Sequence, residues 1–193
     1  MNKLVKQIVD GVSRRQFSTQ IKPEACPRMT LNNGTKIPVI GLGSYALKSK
    51  EVVRSAIMDH GYRHIDTAKA THNEDIVGEA LKEAMAAGVP RSELFVTTKL
   101  WFSDYNDIEG ACRKSLSELK LDYVDLYMIH WMHLPIDYES EDWRITSPPF
   151  HVLWEQMEAL VSKGLTRGIA VSNCTMPMMA NLLAGCKIKP AIN

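Results

Sequence analysis

The chain has 193 residues, of which 45% are apolar and 23% charged, the usual balance of a globular domain with a sizeable core. Its formal net charge of +1 excludes strong attraction to nucleic acid or an acidic membrane, and no apolar run approaches the roughly 18 residues of a membrane-spanning helix. The four cysteines form no CxxC pair, which favours free thiols in a reducing compartment over disulfides or a metal site.

The N-terminal segment differs from the rest of the chain. Its first seventeen residues contain four basic residues and one acid, and Val5, Ile8, Val9 and Val12 share one helical face. This pattern is typical of a mitochondrial transit peptide, and an unstructured extension explains it equally well. We therefore predict residues 1–28 as an N-terminal extension and residues 29–193 as the domain, located in the cytoplasm or the mitochondrial matrix.

From Leu31 onward, short apolar strands alternate with amphipathic helices. Asn33-Gly34 predicts a tight hairpin turn between two short extended pieces. Strands are then predicted at residues 39–43, 63–68, 94–100, 124–130, 168–172 and 190–193. Strands that are apolar on both faces and separated by helices indicate a parallel sheet.

Two of the predicted helices carry clear end signals. One covers residues 73–87 and is ended by Gly88 and Pro90. The other begins after Ser147 as N-cap, has prolines in its first turn and is closed by Gly164. Its predicted apolar face consists of Phe150, Leu153, Trp154, Met157, Leu160 and Val161.

Strand–helix alternation fits either an open doubly wound sheet or a closed (β/α)₈ barrel. A doubly wound dinucleotide fold needs a GxGxxG turn after its first strand, whereas Gly41-Leu42-Gly43 is followed by Ser44-Tyr45. The units recur roughly every 25–40 residues, close to the ~31 of a ~250-residue barrel. The α/β sequence therefore favours a TIM-type barrel with an N-terminal β-hairpin.

Polar side chains fall where the predicted strands end, which in a barrel is the edge that carries the active site. These residues are Ser44, Tyr45, Asp66, Lys99, His130, Ser172 and Asn173. Separately, Asp66 reads as a helix cap, Lys99 as an exposed charge and His130 as a core histidine. Their recurrence on successive strand ends favours one proton-handling site.

Several segments together resemble the aldo/keto reductase family, in order and spacing across residues 29 to 193. They are LNNG (31–34), IPVIGLG (37–43), YRHIDTA (62–68), NEDIVGEAL (73–81), TTKLW (97–101), DLYMIHW (125–131) and GIAVSN (168–173). The resemblance implies reversible hydride transfer between NADPH and a small aldehyde or ketone. It implies no metal, no nucleic acid and no membrane partner.

The resemblance also implies roles for particular residues. Asp66, Lys99 and His130 match three members of the family's catalytic tetrad. Ser172 and Asn173 match the pair that binds the nicotinamide carboxamide. Ser44 and Tyr45 are predicted beside the cofactor, with Tyr45 also among the pocket aromatics Trp101 and Trp131. Bulk packing explains those aromatics nearly as well.

The fourth tetrad member departs from the pattern. The family's tyrosine lies five residues after the aspartate in DTAxxYxNE, where this chain has Thr71. An aliphatic hydroxyl is a far poorer acid than a phenol of pKa about 10, and a nearby charge shifts a pKa by only about 1–3 units. We expect proton donation from position 71 to be lost. His72 is expected to face solvent, and His130 is the better candidate for residual acid catalysis.

A second departure concerns the end of the sequence. Asn193 falls where the family continues into strand six, so the resemblance places strands seven and eight, and the phosphate site they often form, beyond it. We expect a barrel truncated after about six strands, with weak cofactor binding and two unpaired edges. A fragment of a longer gene, a degenerate product and completion by another chain all fit.

Two functions follow from these expectations. The first is NADPH-dependent carbonyl reduction, impaired by Thr71 and by the missing strands. The second is a non-catalytic regulatory or structural protein on the same scaffold, which the threonine favours. The substrate's identity and the oligomeric state are not predicted.

Overall fold

The computed structural model describes residues 26–132 and 148–193. The predicted transit peptide and the predicted cap Ser147 lie outside these residues. Within them, no helix is long and apolar enough to cross a membrane.

The described residues form seven strands and five α-helices. The strands are β1 (Arg28–Thr30), β2 (Lys36–Pro38), β3 (Leu42–Gly43), β4 (His64–Asp66), β5 (Phe95–Leu100), β6 (Leu126–Ile129) and β7 (Ile169–Val171). The helices are α1 (Lys50–Met58), α2 (Glu74–Ala86), α3 (Ile108–Leu119), α4 (Phe150–Ser162) and α5 (Met176–Gly185). Three 3₁₀ turns lie at Lys69–Thr71, Arg91–Glu93 and Phe102–Asp104.

Strands β3 to β7 form one parallel sheet in chain order. A helix lies in each connection between successive strands of this sheet. A doubly wound sheet reverses its strand order at a switch point, which this sheet does not do. The sequential order confirms the predicted barrel type, in which the carboxyl ends of all strands meet at one mouth.

The predicted hairpin is confirmed and covers the opposite end of the sheet. Strands β1 and β2 pair antiparallel around Gly34, whose φ of 81° suits glycine. Leu31 and Ile37 of the hairpin are buried in one cluster with inward-facing residues of the sheet. Those residues are Phe95, Leu126, Met128 and Ala170. The hairpin thus fills the base of the barrel.

Two predicted strands differ in the structure. The strand expected at residues 39–43 begins only at Leu42, since Val39 still follows the hairpin and donates its N–H to Pro27 O. The segment 190–193 is not a strand. It nevertheless makes two ladder-like bonds beside β7, from Ala191 N to Ile169 O (2.8 Å) and from Val171 N to Ile192 O (3.2 Å).

The helices cover the outer face of the sheet, as predicted for 73–87 and for the helix that ends before Gly164. Helix α4 begins at Phe150, so the prolines precede the helix, and the prediction that they lie in its first turn is wrong. Helices α2 and α3 approach most closely at Gly78, where a Cβ would collide with the backbone of Glu118 and Leu119. This close packing holds α2 against the sheet and so positions the turn that precedes it.

Candidate active site

Lys99 and Asp66 form an ion pair at the carboxyl ends of β5 and β4. Lys99 Nζ lies 2.8 Å from each carboxylate oxygen of Asp66 and 2.8 Å from Thr67 O. The lysine side chain is 13% exposed and the aspartate side chain 39% exposed. The ammonium therefore has three acceptors, while the carboxylate still faces the open mouth.

His130 follows β6 and lies beside this pair. Its backbone N–H donates to Leu100 O, and its ring meets Trp101 edge-on with centroids 5.1 Å apart. Among the described residues its Nδ1 is buried without a hydrogen-bond partner. Burial, followed by the positive charge of Lys99, lowers the pKa of His130, and Asp66 opposes this shift. A neutral imidazole with an unused nitrogen therefore lies at the mouth.

Thr71 ends the 3₁₀ turn Lys69–Thr71, and its hydroxyl is directed into that turn. Thr71 Oγ1 lies 2.6 Å from Ala68 O and 2.6 Å from Asn73 Oδ1. A hydroxyl has a single hydrogen, and both acceptors belong to neighbouring residues. The next residue, His72, is exposed and has a left-handed φ of 52°, in agreement with its expected orientation to solvent.

Asn73 holds this turn to the loop after β3, a role that the sequence did not reveal. Asn73 is 3% exposed, and its Nδ2 donates to Ser44 O (2.7 Å) and Leu47 O (2.9 Å). Its Oδ1 also lies within 3.5 Å of the hydroxyls of Ser44 and Thr67. Ser44 is itself fully buried, so the structure does not bring this predicted cofactor residue to the mouth.

A second feature missing from the sequence prediction is the ion pair between Lys69 and Asp104. It joins the turn that carries Thr71 to the turn Phe102–Asp104, and the two side chains are 27% and 21% exposed. Lys69 lies inside the DTAxxYxNE stretch, so the sequence alone places it in the loop that follows β4. Asp104 is 35 residues away, and no local pattern pairs them.

The segment after β7 brings Ser172 and Asn173 to the same edge. Asn173 Nδ2 donates to His130 O (2.8 Å) and lies 3.1 Å from Ser172 Oγ, and Asn173 adopts a left-handed φ of 53°. Asparagine tolerates this conformation better than most residues. An amide and a hydroxyl thus stand beside His130, one strand away from the ion pair.

The three predicted pocket aromatics differ in exposure. Tyr45 is 82% exposed and Trp131 is 38% exposed, whereas Trp101 is half-buried between His130 and Phe102. The carbonyl of Trp131 accepts a hydrogen bond from Tyr105. Trp101 therefore contacts the predicted catalytic residue His130 directly.

A buried carboxyl lies on the helix side of the sheet. Glu74 is 2% exposed and accepts bonds from Thr98 Oγ1 (2.5 Å) and Ser115 Oγ (3.0 Å). Burial raises the pKa of Glu74. Glu74 links α2 to β5 directly behind Lys99. Within the described residues, no group of three or more His, Cys, Asp or Glu side chains could hold a metal ion.

Comparison with known proteins agrees with this geometry. The model of the aldo/keto reductase family matches residues 39–193. Glycerol 2-dehydrogenase (NADP(+)) of Saccharomyces cerevisiae is 40% identical over 184 residues, covering 86% of this chain and 58% of that protein. Aldo-keto reductase family 1 member A1 of Rattus norvegicus is 39% identical, covering 84% of this chain and 54% of the relative.

Solved structures give the same result. A Bombyx mori aldo-keto reductase in complex with NADP superposes with a TM-score of 0.77 at 37% identity, over 87% of this chain and 57% of that one. The aldose reductase of Schistosoma japonicum superposes with a TM-score of 0.77 at 35% identity, over 86% and 60%. The chain spans somewhat more than half the length of these relatives.

Proposed function

The chain belongs to the aldo/keto reductase family, and from that premise we propose that it is built for NADPH-dependent reduction of small aldehydes or ketones, with proton donation impaired at position 71. One observation carries the proposal. Lys99, Asp66 and His130 lie together at the mouth, while the Thr71 hydroxyl bonds within its own turn.

The residues at the mouth fit a nicotinamide cofactor. The buried, unpartnered Nδ1 of His130 and the neighbouring Ser172 and Asn173 side chains offer polar atoms to a ligand. Both N–H groups of the Asn173 amide donate to His130 O and Ser172 Oγ, so its Oδ1 is the atom left to accept from a carboxamide N–H. When bound, the cofactor supplies the hydride that a carbonyl carbon needs.

The remaining task of the site is to deliver a proton to the carbonyl oxygen. A neutral His130 can donate one hydrogen bond to that oxygen and so orient the substrate. The Lys99–Asp66 pair is neutral overall, and its ammonium is the end that favours a developing alkoxide. Thr71 contributes no comparable acid, whereas His130 carries a ring N–H and contacts Trp101 at the mouth.

His130 is a poor substitute for a phenol at neutral pH. Because burial and Lys99 lower its pKa, only a small fraction of the imidazole carries the proton that it would donate. Residual reduction carried by His130 should therefore increase as the pH falls. Slow, acid-favoured turnover is the activity that this site supports.

The second candidate is a non-catalytic protein on the same scaffold. The Thr71 hydroxyl supports this candidate, because its hydrogen-bond acceptors are Ala68 O and Asn73 Oδ1 and neither is part of the mouth. Such a protein would retain NADPH binding through the region of Ser172 and Asn173 without turnover. The two candidates thus differ in rate and agree in cofactor binding.

Restoring the phenol separates these functions. We expect Thr71→Tyr to raise NADPH-dependent reduction of a test aldehyde by about 10²–10⁴-fold, the usual contribution of a positioned general acid. Thr71→Phe is the matched control, because it adds the same ring without the hydroxyl and should give no gain. NADPH oxidation at 340 nm measures both variants, and quenching of tryptophan fluorescence measures cofactor binding separately.

The control also identifies failure. Equal rates for Thr71→Tyr and Thr71→Phe, with cofactor bound in both, would contradict the proposed proton-donor defect. Lack of cofactor binding in every variant would instead agree with the weak cofactor binding expected from the sequence, and the rates would then not report on position 71.

Arg28 begins β1, so the predicted extension of residues 1–28 overlaps the hairpin by one residue. We also propose that the chain ahead of β1 is an extension outside the catalytic domain, and that it directs the protein to mitochondria. Its basic, acid-poor composition supports this. N-terminal sequencing of protein from purified mitochondria tests it. A start near Phe17 or Ser18 is expected, and an intact Met1 in the cytosolic fraction alone would contradict it.

A further inference from the structure

A groove of about 840 Å³ lies at the base of the barrel, opposite the mouth. Its walls come from the hairpin strands β1 and β2, from the start of β4 and from the loop that precedes β5. The lining residues used below are Arg28, Lys36, Arg63, Gly88 and Glu93. The residues assigned to catalysis all follow the carboxyl ends of strands, so the groove is separate from them.

The groove carries excess positive charge. Arg28, Lys36 and Arg63 line it from three separate elements, and Glu93 is the one acidic residue among its lining residues. Glu93 pairs with Arg63 at 3.1 Å. In the described part of the chain, neither Arg28 nor Lys36 has a carboxylate within 4.0 Å. Two cationic side chains in the groove are therefore uncompensated.

The two guanidinium groups are held in place. Arg63 is 8% exposed, with its Nη1 bonded to Ile57 O (2.9 Å) and to Tyr62 O (3.0 Å). Arg28 donates to Glu93 O (3.0 Å) and to Lys36 O (3.4 Å). Arginines fixed through backbone carbonyls lose little freedom when they bind an anion, and their planar donors match phosphate oxygens.

The cations of the hairpin are not confined to one groove. A second groove of about 430 Å³ shares Arg28 and Lys36 and adds Arg167 and Asp125. Arg167 lies 3.7 Å from Asp125 and stacks on Tyr123, 4.2 Å from the ring centroid. Arg28 and Lys36 thus line both grooves, and the Arg167–Asp125 pair adds no net charge to the second.

We propose that this base groove binds an organic phosphate with at least two phosphate groups, held by Arg28, Lys36 and Arg63. Two uncompensated charges favour a multivalent anion over a monovalent one. The open walls around Gly88 and the volume accommodate a ligand of nucleotide size. The site is independent of the carbonyl chemistry proposed for the mouth.

Inorganic tripolyphosphate is the probe, titrated into the 193-residue protein by calorimetry at 50 mM salt. We expect one site per chain, with affinity that falls steeply as salt is raised. Arg28→Gln/Lys36→Gln should weaken binding by about tenfold or more, since two charge-assisted contacts are lost. Lys82→Gln/Lys114→Gln, which removes the same charge from the outer faces of α2 and α3, should change it by less than about twofold.

Three outcomes would overturn the proposal. They are no measurable binding to the wild-type protein, equal weakening in both double variants, and citrate binding as tightly as tripolyphosphate. Circular dichroism checks that the double variants are folded, as expected because Arg28, Lys36, Lys82 and Lys114 are all exposed.

Discussion

The two flanks of the mouth differ in how their polar groups are used. On the flank formed by β4 and β5, Lys99 and Asp66 pair with one another at the strand ends, and His130 stands beside them with a nitrogen that has no partner among the described residues. On the flank formed by the turn Lys69–Thr71, the polar groups bond inward, with Thr71 hydrogen-bonded to Asn73 and Asn73 to the loop after β3.

The difference shows which contacts of the site depend on residue 71. Lys99 and Asp66 satisfy one another, so this flank keeps its arrangement whatever occupies position 71. Replacing Thr71 would remove its bond to Asn73 Oδ1. The turn is held by the two bonds that Asn73 Nδ2 donates and by the Lys69–Asp104 pair, none of which uses the Thr71 hydroxyl. A tyrosine could therefore be restored there without rebuilding the supporting contacts.

We expect the greatest change in rate when a substitution on one flank is combined with a substitution on the other. In a Thr71→Tyr background, Lys99→Met should lower the regained rate about 10- to 1000-fold, because a neighbouring positive charge lowers a phenol's pKa by about 1–3 units. NADPH oxidation measures the loss. Lys82→Met serves as the control. A gain that survived Lys99→Met would show that the phenol works without the ion pair.

The next effect tests the inward-bonded flank. Asn73→Ala should lower the free energy of unfolding by about 2–3 kcal/mol, since the buried carbonyl of Ser44 and the partly buried carbonyl of Leu47 lose their donors. Urea denaturation measures it. Asn32→Ala removes an exposed amide that reaches Pro190 O and is the control. Equal losses in the two variants would contradict the supporting role given to Asn73.

A smaller effect concerns the pair that joins the two turns. Lys69→Met should lower the free energy of unfolding by about 1 kcal/mol, the upper range for a partly exposed ion pair. Lys50→Met breaks the more exposed pair with Glu83 and should have less effect. Urea midpoints compare them. A larger loss of stability for Lys50→Met than for Lys69→Met would contradict the role of the Lys69–Asp104 pair in holding the turn.

The smallest effect is a pH dependence behind the sheet. The pKa of Glu74 is raised in the folded state, so its contribution to stability is full below the unfolded pKa of about 4.5 and is lost as the pH rises through the folded pKa. Wild type should therefore lose stability relative to Glu74→Gln between pH 4.5 and 7. A constant difference across that range would show that Glu74 does not titrate differently on folding.

Much of the fold was predictable from the sequence because its signals are local. Gly34 and Asn33 specify the hairpin turn, and the 3.6-residue period specifies α2. The strand ends then placed Asp66, Lys99 and His130 at one edge. These three residues come together because parallel strands of a barrel share a carboxyl edge, which depends on topology alone.

The remaining features depend on contacts between distant residues. Residues 39–41 are apolar yet continue the hairpin, and Val39 is 53% exposed, so hydrophobicity alone misplaced a strand there. Ser44 follows a strand but faces Asn73, since a strand of two residues does not fix the direction of the next side chain. The Lys69–Asp104 pair links two loops, which no periodic pattern reports.

Paired pH profiles of carbonyl reduction show whether proton donation is lost because threonine occupies position 71. For wild type we predict kcat/KM that declines about tenfold per pH unit above the pKa of His130, which lies below the usual value of about 6.5, or no turnover. For Thr71→Tyr we predict a higher kcat/KM that is maintained to a more alkaline pH. Identical profiles for the two proteins, at equal rates, would contradict the account.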